Sequence, residues 1–169
     1  MLPFHYQSPT VIEFGKDAIL RIGDQLHDAH VILQVSTGDY PDRLGITDQI
    51  RREAEREGAT VIVDEGSEPN PKLGHVHDLV ELARKHRVDL VVGVGGGSSI
   101  DTAKAVALGV PYEGDVWDFF DGSATPSSAL PVGSVVTLPG SGSELSDCAV
   151  VQNGQDKVSF ENDILLPRV

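Results

Sequence analysis

The chain is poor in cysteine, in aromatic residues and in positive charge, and it holds no long apolar run. Its one cysteine, Cys148, rules out an intrachain disulfide, so stability must come from a hydrophobic core, as suits a reducing compartment. No apolar stretch approaches the ~20 residues a membrane-spanning helix needs. The opening Met1-Leu-Pro-Phe-His has neither the basic nor the apolar region of a secretory signal. Together these features lead us to expect a soluble, cytoplasmic protein without a membrane partner. Only 13 Lys and Arg stand against 26 Asp and Glu, a net charge of −13 that repels phosphate backbones and argues against a nucleic-acid partner. A high-salt habitat could also favour such acidity, but a solvated acidic surface is the simpler reading.

What is present suits one globular domain: 169 residues, 40% of them hydrophobic, with 18 glycines spread among apolar runs. Short β-rich runs alternate with helical patterns. Val11–Phe14, Val31–Val35, Thr60–Asp64, Val88–Gly93, Ser134–Leu138 and Ala149–Val151 read as strands. Helical spacing marks 18–26, 46–57, the face Leu73, Val76, Leu79, Val80 and Ala83, and 98–108. Pro41 suits a helix start and Gly58 a helix stop. The segment from Pro111 to Pro131 reads as a long loop carrying Tyr112, Trp117, Phe119 and Phe120, and connections of that length are often functional. Apolar strands alternating with amphipathic helices predict an α/β fold: a Rossmann-like, mostly parallel sheet with helices on both faces.

The chemistry concentrates in Val91-Val-Gly-Val-Gly-Gly-Gly-Ser-Ser-Ile-Asp-Thr-Ala-Lys-Ala105, where a buried strand enters three glycines and a helix opens at Ser98 or Ser99. Gly95, Gly96 and Gly97 carry no Cβ, so their backbone lets an anion approach the N–H groups. The helix start adds unpaired donors and a partial positive charge. Ser98 is a candidate helix cap or phosphate ligand. The spacing departs from the dinucleotide fingerprint, because Ser98 stands at its sixth position. It is no P-loop either, since Lys104 lies one helical turn too far on. A tight strand-to-helix turn with no ligand is the plainer alternative.

Gly95-Gly-Gly-Ser-Ser-Ile-Asp-Thr-Ala-Lys104 resembles the GGGSxxDxAK signature of the iron-containing (group III) alcohol dehydrogenase family and its glycerol and dehydroquinate relatives. Phe4–Lys16 is similar to the family's opening and Glu68-Pro-Asn-Pro71 to its PNP turn. Gly114–Asp118 and Thr137–Glu144 resemble the butanol dehydrogenase and NADPH-dependent aldehyde reductase branch. The resemblance runs in order along essentially the whole chain. It implies that residues 1–169 are a dinucleotide-binding domain like the N-terminal domain of dehydroquinate synthase. It also implies NAD or NADP as cofactor, hydride transfer to or from a small alcohol or aldehyde, and a homodimer as a candidate assembly.

The resemblance further assigns Gly96, Gly97 and Ser98 to the diphosphate, Asp101, Ser146 and Cys148 to the nicotinamide end, and Thr137, Leu138 and Ser141 to the adenosine side. Asn70 would touch the cofactor and Lys157 a ribose hydroxyl. Gly38 and Asp39 would bear on the choice between NAD and NADP, because an acid there bonds a ribose 2′-hydroxyl and repels a 2′-phosphate. The two stand side by side, and a one-residue register shift decides between them. Each residue also has a plainer reading: Asp101 as a first-turn helix acid, Asn70 as a turn residue, Thr137 as a strand residue, Lys157 as a solvated charge, Cys148 as a small buried hydrophobe.

Family members hold a divalent metal, iron or zinc, through one Asp and three His of a further helical domain, and the resemblance places those ligands beyond Val169. His5, His27, His30, His75, His77 and His86 fit no such motif. His75 and His77, two apart on a helix, face different sides. The chain by itself is therefore expected to be catalytically incomplete. A non-catalytic nucleotide- or phosphate-binding module, or a glycerol dehydrogenase relative, are the other readings.

Overall fold

The computed structural model describes residues 8–169. His5 and the residues Phe4–Gln7 of the family-like opening lie outside the described residues. Strand β1 (Val31–Ser36) is the first of four parallel strands, with β2 (Thr60–Asp64), β3 (Leu90–Gly95) and β4 (Val132–Val136) following in sequence. Their order across the sheet is β2-β1-β3-β4, so β1 and β3 are the inner pair. Leu33 is in register with Val91, and Ser36 with Val94. These inner strands are buried on both faces, which explains their uninterrupted apolar sequence.

Alternate residues feed two separate cores. Ile32 of β1 and Leu90, Val92 and Val94 of β3 pack with Ile22, Leu26, Ile50 and Ala54. The last four come from a 3-10 turn and short helix, α1 (Gly23–Leu26), and from α3 (Ile46–Arg56), which follows the brief α2 (Tyr40–Arg43). On the opposite face, Leu33, Val35 and Val91 meet α4 (Leu73–His86) and α5 (Gly97–Gly109). Helices cover both faces, as the alternating pattern predicts. The predicted α4 face, Leu73, Val76, Leu79, Val80 and Ala83, is the buried one. Pro41 sits in the first turn of α2, and Gly58, at φ +79°, follows the last residues of α3.

Several elements differ from the sequence reading. Val11–Phe14 forms no strand. Its one inter-segment backbone bond among the described residues runs from Val11 N–H to the Arg168 carbonyl (2.8 Å), and Phe14 is 96% exposed. Residues 18–26 split at Ile22 into the 3-10 turn and α1 instead of one helix. Strand β4 begins and ends two residues early, because Thr137 leaves the ladder after its N–H bonds the Gly95 carbonyl (3.0 Å).

The segment read as a loop contains α6 (Trp117–Phe120), whose Phe119 and Phe120 are buried. Both lie against Phe160, with ring centroids 6.0 and 5.8 Å away, so these aromatics serve packing. Finally, β5 (Cys148–Asn153) pairs antiparallel with an unpredicted strand, β6 (Asp156–Glu161). Asn153-Gly154 and the alternation of Val158 and Phe160 carried that hairpin signal in the sequence.

Candidate functional site

The chain runs outward from β1 in both directions across the sheet, so the topology switches between β1 and β3. Ligands of open α/β sheets gather at the carboxyl ends of the strands at such a point. Two turns leave it: Thr37–Asp39 after β1 and the triple glycine after β3.

The three glycines have different reasons to be glycine. Gly95 has φ +151°, and a Cβ there would come within 2.6 Å of Ser99 Oγ. At Gly97 a Cβ would lie 2.6 Å from Ser141 Oγ. The protein's own packing therefore demands both. At Gly96 the nearest atom to a Cβ would be the Leu138 carbonyl oxygen, at 3.5 Å, so the chain leaves room. Helix α5 starts at Gly97, and its first internal bond runs from Ile100 N–H to the Gly96 carbonyl, 3.3 Å. The amides of Gly97, Ser98 and Ser99 precede that bond, and among the described residues no side chain caps this end. Of the two roles read for Ser98, helix cap or phosphate ligand, it does not take the first. Its Oγ accepts the Asn70 N–H at 3.2 Å.

Asn70, Ser98 and Lys157, remote in sequence, meet here. Lys157 Nζ donates to Asn70 Oδ1 at 2.6 Å, and Asn70 holds a left-handed φ of +59°. The Pro69-Asn70-Pro71 turn is stitched to the hairpin by Gln152 N–H to the Pro71 carbonyl (2.7 Å) and by Lys72 Nζ to Gln152 Oε1 (2.7 Å). A cation thus stands beside an anion-seeking helix start.

On the β4 side, Leu138 is exposed over Gly96, Ser141 presses on Gly97, and the Thr137 hydroxyl meets the Tyr40 hydroxyl. Nothing in the sequence around Tyr40 points to this place. On the β1 side, Thr37 Oγ1 pairs with Ser99 Oγ at 3.1 Å, a contact that nothing in the sequence points to. Gly38, at φ +66°, donates its N–H to the Glu65 carbonyl (2.8 Å). Asp39 opens α2 and pairs with Arg43 at 3.3 Å, both side chains largely exposed. Gly38 and Asp39 therefore bond to their own surroundings, Glu65 and Arg43, rather than to the glycine turn.

Along α5, Asp101 is buried. Its Oδ2 accepts the Val150 N–H (3.2 Å), while Oδ1 meets no hydrogen-bond donor. Burial pushes this carboxyl above its ordinary range, against the opposing pull of the Ser143 hydroxyl, the Val150 amide and the Lys104 and Lys157 charges. Lys104 is fully buried and donates to the carbonyls of Ser143 (2.7 Å), Ser146 (2.6 Å) and Cys148 (2.9 Å). Burial lowers its ammonium, opposed chiefly by Asp101. Ser146 Oγ accepts the Cys148 N–H at 3.4 Å, and burial raises the Cys148 thiol.

The histidines are engaged elsewhere: His75 with Asp64 at 2.9 Å and His77 with Asp115 at 2.8 Å. Among the described residues no three His, Cys, Asp or Glu side chains converge to hold a metal ion. No described helix is long and apolar enough to cross a membrane. An apolar groove of about 660 Å³ lies between residues 10–15 and β4.

The chain that carries this arrangement is similar to known proteins along nearly its whole length. The iron-containing alcohol dehydrogenase family model matches residues 9–169. The chain belongs to that family. It is 40% identical over 159 residues to a probable NADH-dependent butanol dehydrogenase of Bacillus subtilis, covering 93% of this chain and 40% of the relative. It is 35% identical over 170 residues to the NADPH-dependent aldehyde reductase YqhD of Escherichia coli, covering 97% and 43%. The crystal structure of an NADH-dependent butanol dehydrogenase A from Thermotoga maritima superposes with a TM-score of 0.93 at 37% identity, over 99% of this chain and 43% of that one. The chain thus spans about two fifths of these relatives, and their names agree with the branch read from its motifs.

Proposed function

We propose that residues 1–169 of this iron-containing alcohol dehydrogenase family member form an NAD(P)-binding domain, the cofactor-orienting part of an alcohol dehydrogenase or aldehyde reductase. One observation carries this reading: the uncapped start of α5 opens at the switch point beside Gly96, the one glycine of the triplet where a Cβ would meet nothing closer than 3.5 Å. The amides of Gly96, Gly97 and Ser98 bind the diphosphate, helped by the helix dipole. Lys157, steered by Asn70, supplies a nearby cation and a donor to a ribose hydroxyl. Thr137, Leu138 and Ser141 line the adenosine side with Gly95. Gly38 and Asp39 stand at the neighbouring strand end, where the ribose 2′ position is read. Asp101, with its unpartnered Oδ1, lies with Ser146 and Cys148 toward the nicotinamide.

A nicotinamide dinucleotide held by these residues would supply the hydride chemistry, taking a hydride from an alcohol with release of a proton or giving one to an aldehyde with uptake of a proton. The chain's part is to orient the cofactor. Its described residues do not fit a metal site. On this reading the family's metal ligands and the rest of the substrate pocket are supplied by other residues, and the 169-residue chain turns over no substrate by itself.

Calorimetric titration of the chain with NADH and NADPH in parallel tests this reading. Binding of at least one nucleotide is expected, weakened in Gly96→Ala, whose Cβ meets only ordinary contacts. Absence of heat for both nucleotides, or undiminished binding by Gly96→Ala, would refute the cofactor site. Metal-stimulated alcohol oxidation by the purified chain would refute its catalytic incompleteness.

A further inference from the structure

By its position in the sequence, Lys104 lies too far along the helix to reach a phosphate. It lies even further from solvent: the side chain is fully buried, yet it ends in an ammonium group. Such a group is tolerated only if its donors are taken up. All three are, by the carbonyls of Ser143, Ser146 and Cys148, with Ser146 Oγ a fourth and longer contact at 3.4 Å. These acceptors are spread over six residues that turn from the 3-10 segment Ser143–Leu145 into β5. One turn earlier on the same face of α5, Asp101 takes the Val150 N–H. Two charged side chains thus clamp one segment to the helix, one through its carbonyls and the other through an amide.

On the proposed function the clamped segment flanks the bound dinucleotide: it carries Ser146 and Cys148, while its Ser143 and the preceding Ser141 lie against Gly97. Lys104 itself bonds no atom of the helix start or the glycine turn, whose amides follow directly from β3.

We propose that Lys104 is a positioning residue for the nicotinamide side of the cleft. Its ammonium sets the backbone path from Ser143 to Cys148, and so places Ser146 and Cys148 against a bound dinucleotide without contributing to the grip on the diphosphate. The assignment rests on the nucleotide-binding function proposed for the glycine turn. It predicts a separation that a general loss of stability would not produce. ADP-ribose carries the adenosine and diphosphate but lacks the nicotinamide, so it should not notice Lys104, whereas NADH should.

The experiment compares the wild-type chain with Lys104→Met, which keeps the length of the side chain and loses the donors. NADH and ADP-ribose affinities are measured, together with amide hydrogen exchange across the whole chain. In Lys104→Met, ADP-ribose should bind within about two-fold of wild type while NADH binds roughly ten-fold more weakly. Exchange should accelerate in peptides covering 143–150 and stay unchanged in β1 and β3. Equal loss of both ligands, or unaltered exchange at 143–150, overturns the role of Lys104 while leaving the nucleotide site intact. A wild-type chain that binds neither ligand overturns the nucleotide reading and this assignment with it. If Lys104→Met does not fold, Lys104→Arg, which keeps a cation but replaces three tetrahedral donors with a planar fork, is read by the same comparisons.

Discussion

Asn70 and Lys157 lie 87 residues apart in sequence and 2.6 Å apart at Oδ1 and Nζ. One is the left-handed residue of a turn between two prolines, the other an exposed lysine in the second strand of a hairpin. Their pairing brings a positive charge to the start of α5 and fixes the Asn70 backbone, whose N–H reaches Ser98. Lys157→Met should therefore weaken nucleotide binding and flatten its dependence on salt, with a stability change within about 0.5 kcal/mol, as for an exposed substitution. Titrations at low and high ionic strength, with urea unfolding alongside, check both parts.

The glycines of the turn should separate by mechanism. Gly93→Ala drives a Cβ to 2.7 Å from the Ile100 Cα, a backbone atom that cannot swing aside. Gly97→Ala meets the Ser141 side chain at 2.6 Å. Each should cost about 1–3 kcal/mol as overpacking, Gly93→Ala more than Gly97→Ala. Gly96→Ala has space and a negative φ, so its folding stability should stay within about 0.5 kcal/mol of wild type while nucleotide affinity falls. The fluorescence of Trp117, the single tryptophan, stacked on Phe120, reports the unfolding in every case.

His75 provides a pH test. Its hydrogen bond to Asp64 is the main cause raising its imidazole above 6.5, with the Asp64, Asp78 and Glu68 charges adding to the rise and burial opposing it. A raised folded value means stabilisation that is complete below the unfolded value and disappears as pH climbs through the folded one. The stability difference between wild type and Asp64→Asn should thus be larger at about pH 5.5 than at about pH 8.5. A difference independent of pH would show that the pair does not hold the charged imidazole. Because Asp64 ends β2 beside the bridge between Thr37 and Gly66, the same variant should also loosen the turn after β1.

Cys148 should be a slow nucleophile. Burial is the leading cause raising its thiol, followed by the Asp101 and Glu161 carboxylates, with Lys104 opposing. Alkylation by iodoacetamide near neutral pH should run slower than for an unstructured thiol, accelerate only at higher pH, and slow further with NADH bound. Labelling at the rate of a free thiol, or indifferent to NADH, would contradict the placement of Cys148 in the cleft.

Residues close in sequence could be read without the structure. The apolar run Val91–Val94 followed by three glycines and an uninterrupted helical stretch specifies a strand, a turn and a helix through backbone sterics and burial alone, and the motif places the chain in its family. The periodicity of α4 follows equally from one apolar face, whereas the buried face of α3 also takes in Thr47 and Glu53, whose burial the sequence did not reveal. Helix α5 is different. It is buried nearly all round, so its sequence shows little amphipathic contrast and no hint of which side meets which neighbour.

What lay out of reach depends on which segments pack together. Lys104 in the sequence is one cation among 13, and only the return of residues 143–148 over α5 gives its ammonium three carbonyls. The pairing of Asn70 with Lys157 likewise needs the β5–β6 hairpin to dock on the PNP turn. The differing demands on Gly95, Gly96 and Gly97 arise from Ser99 within the helix and from Leu138 and Ser141 of a loop some forty residues on. Strand, turn and helix propensities act over a few bonds and are written locally. Burial, charge neutralisation and room for a ligand are set by atoms far apart in the chain, and only the tertiary structure decides them.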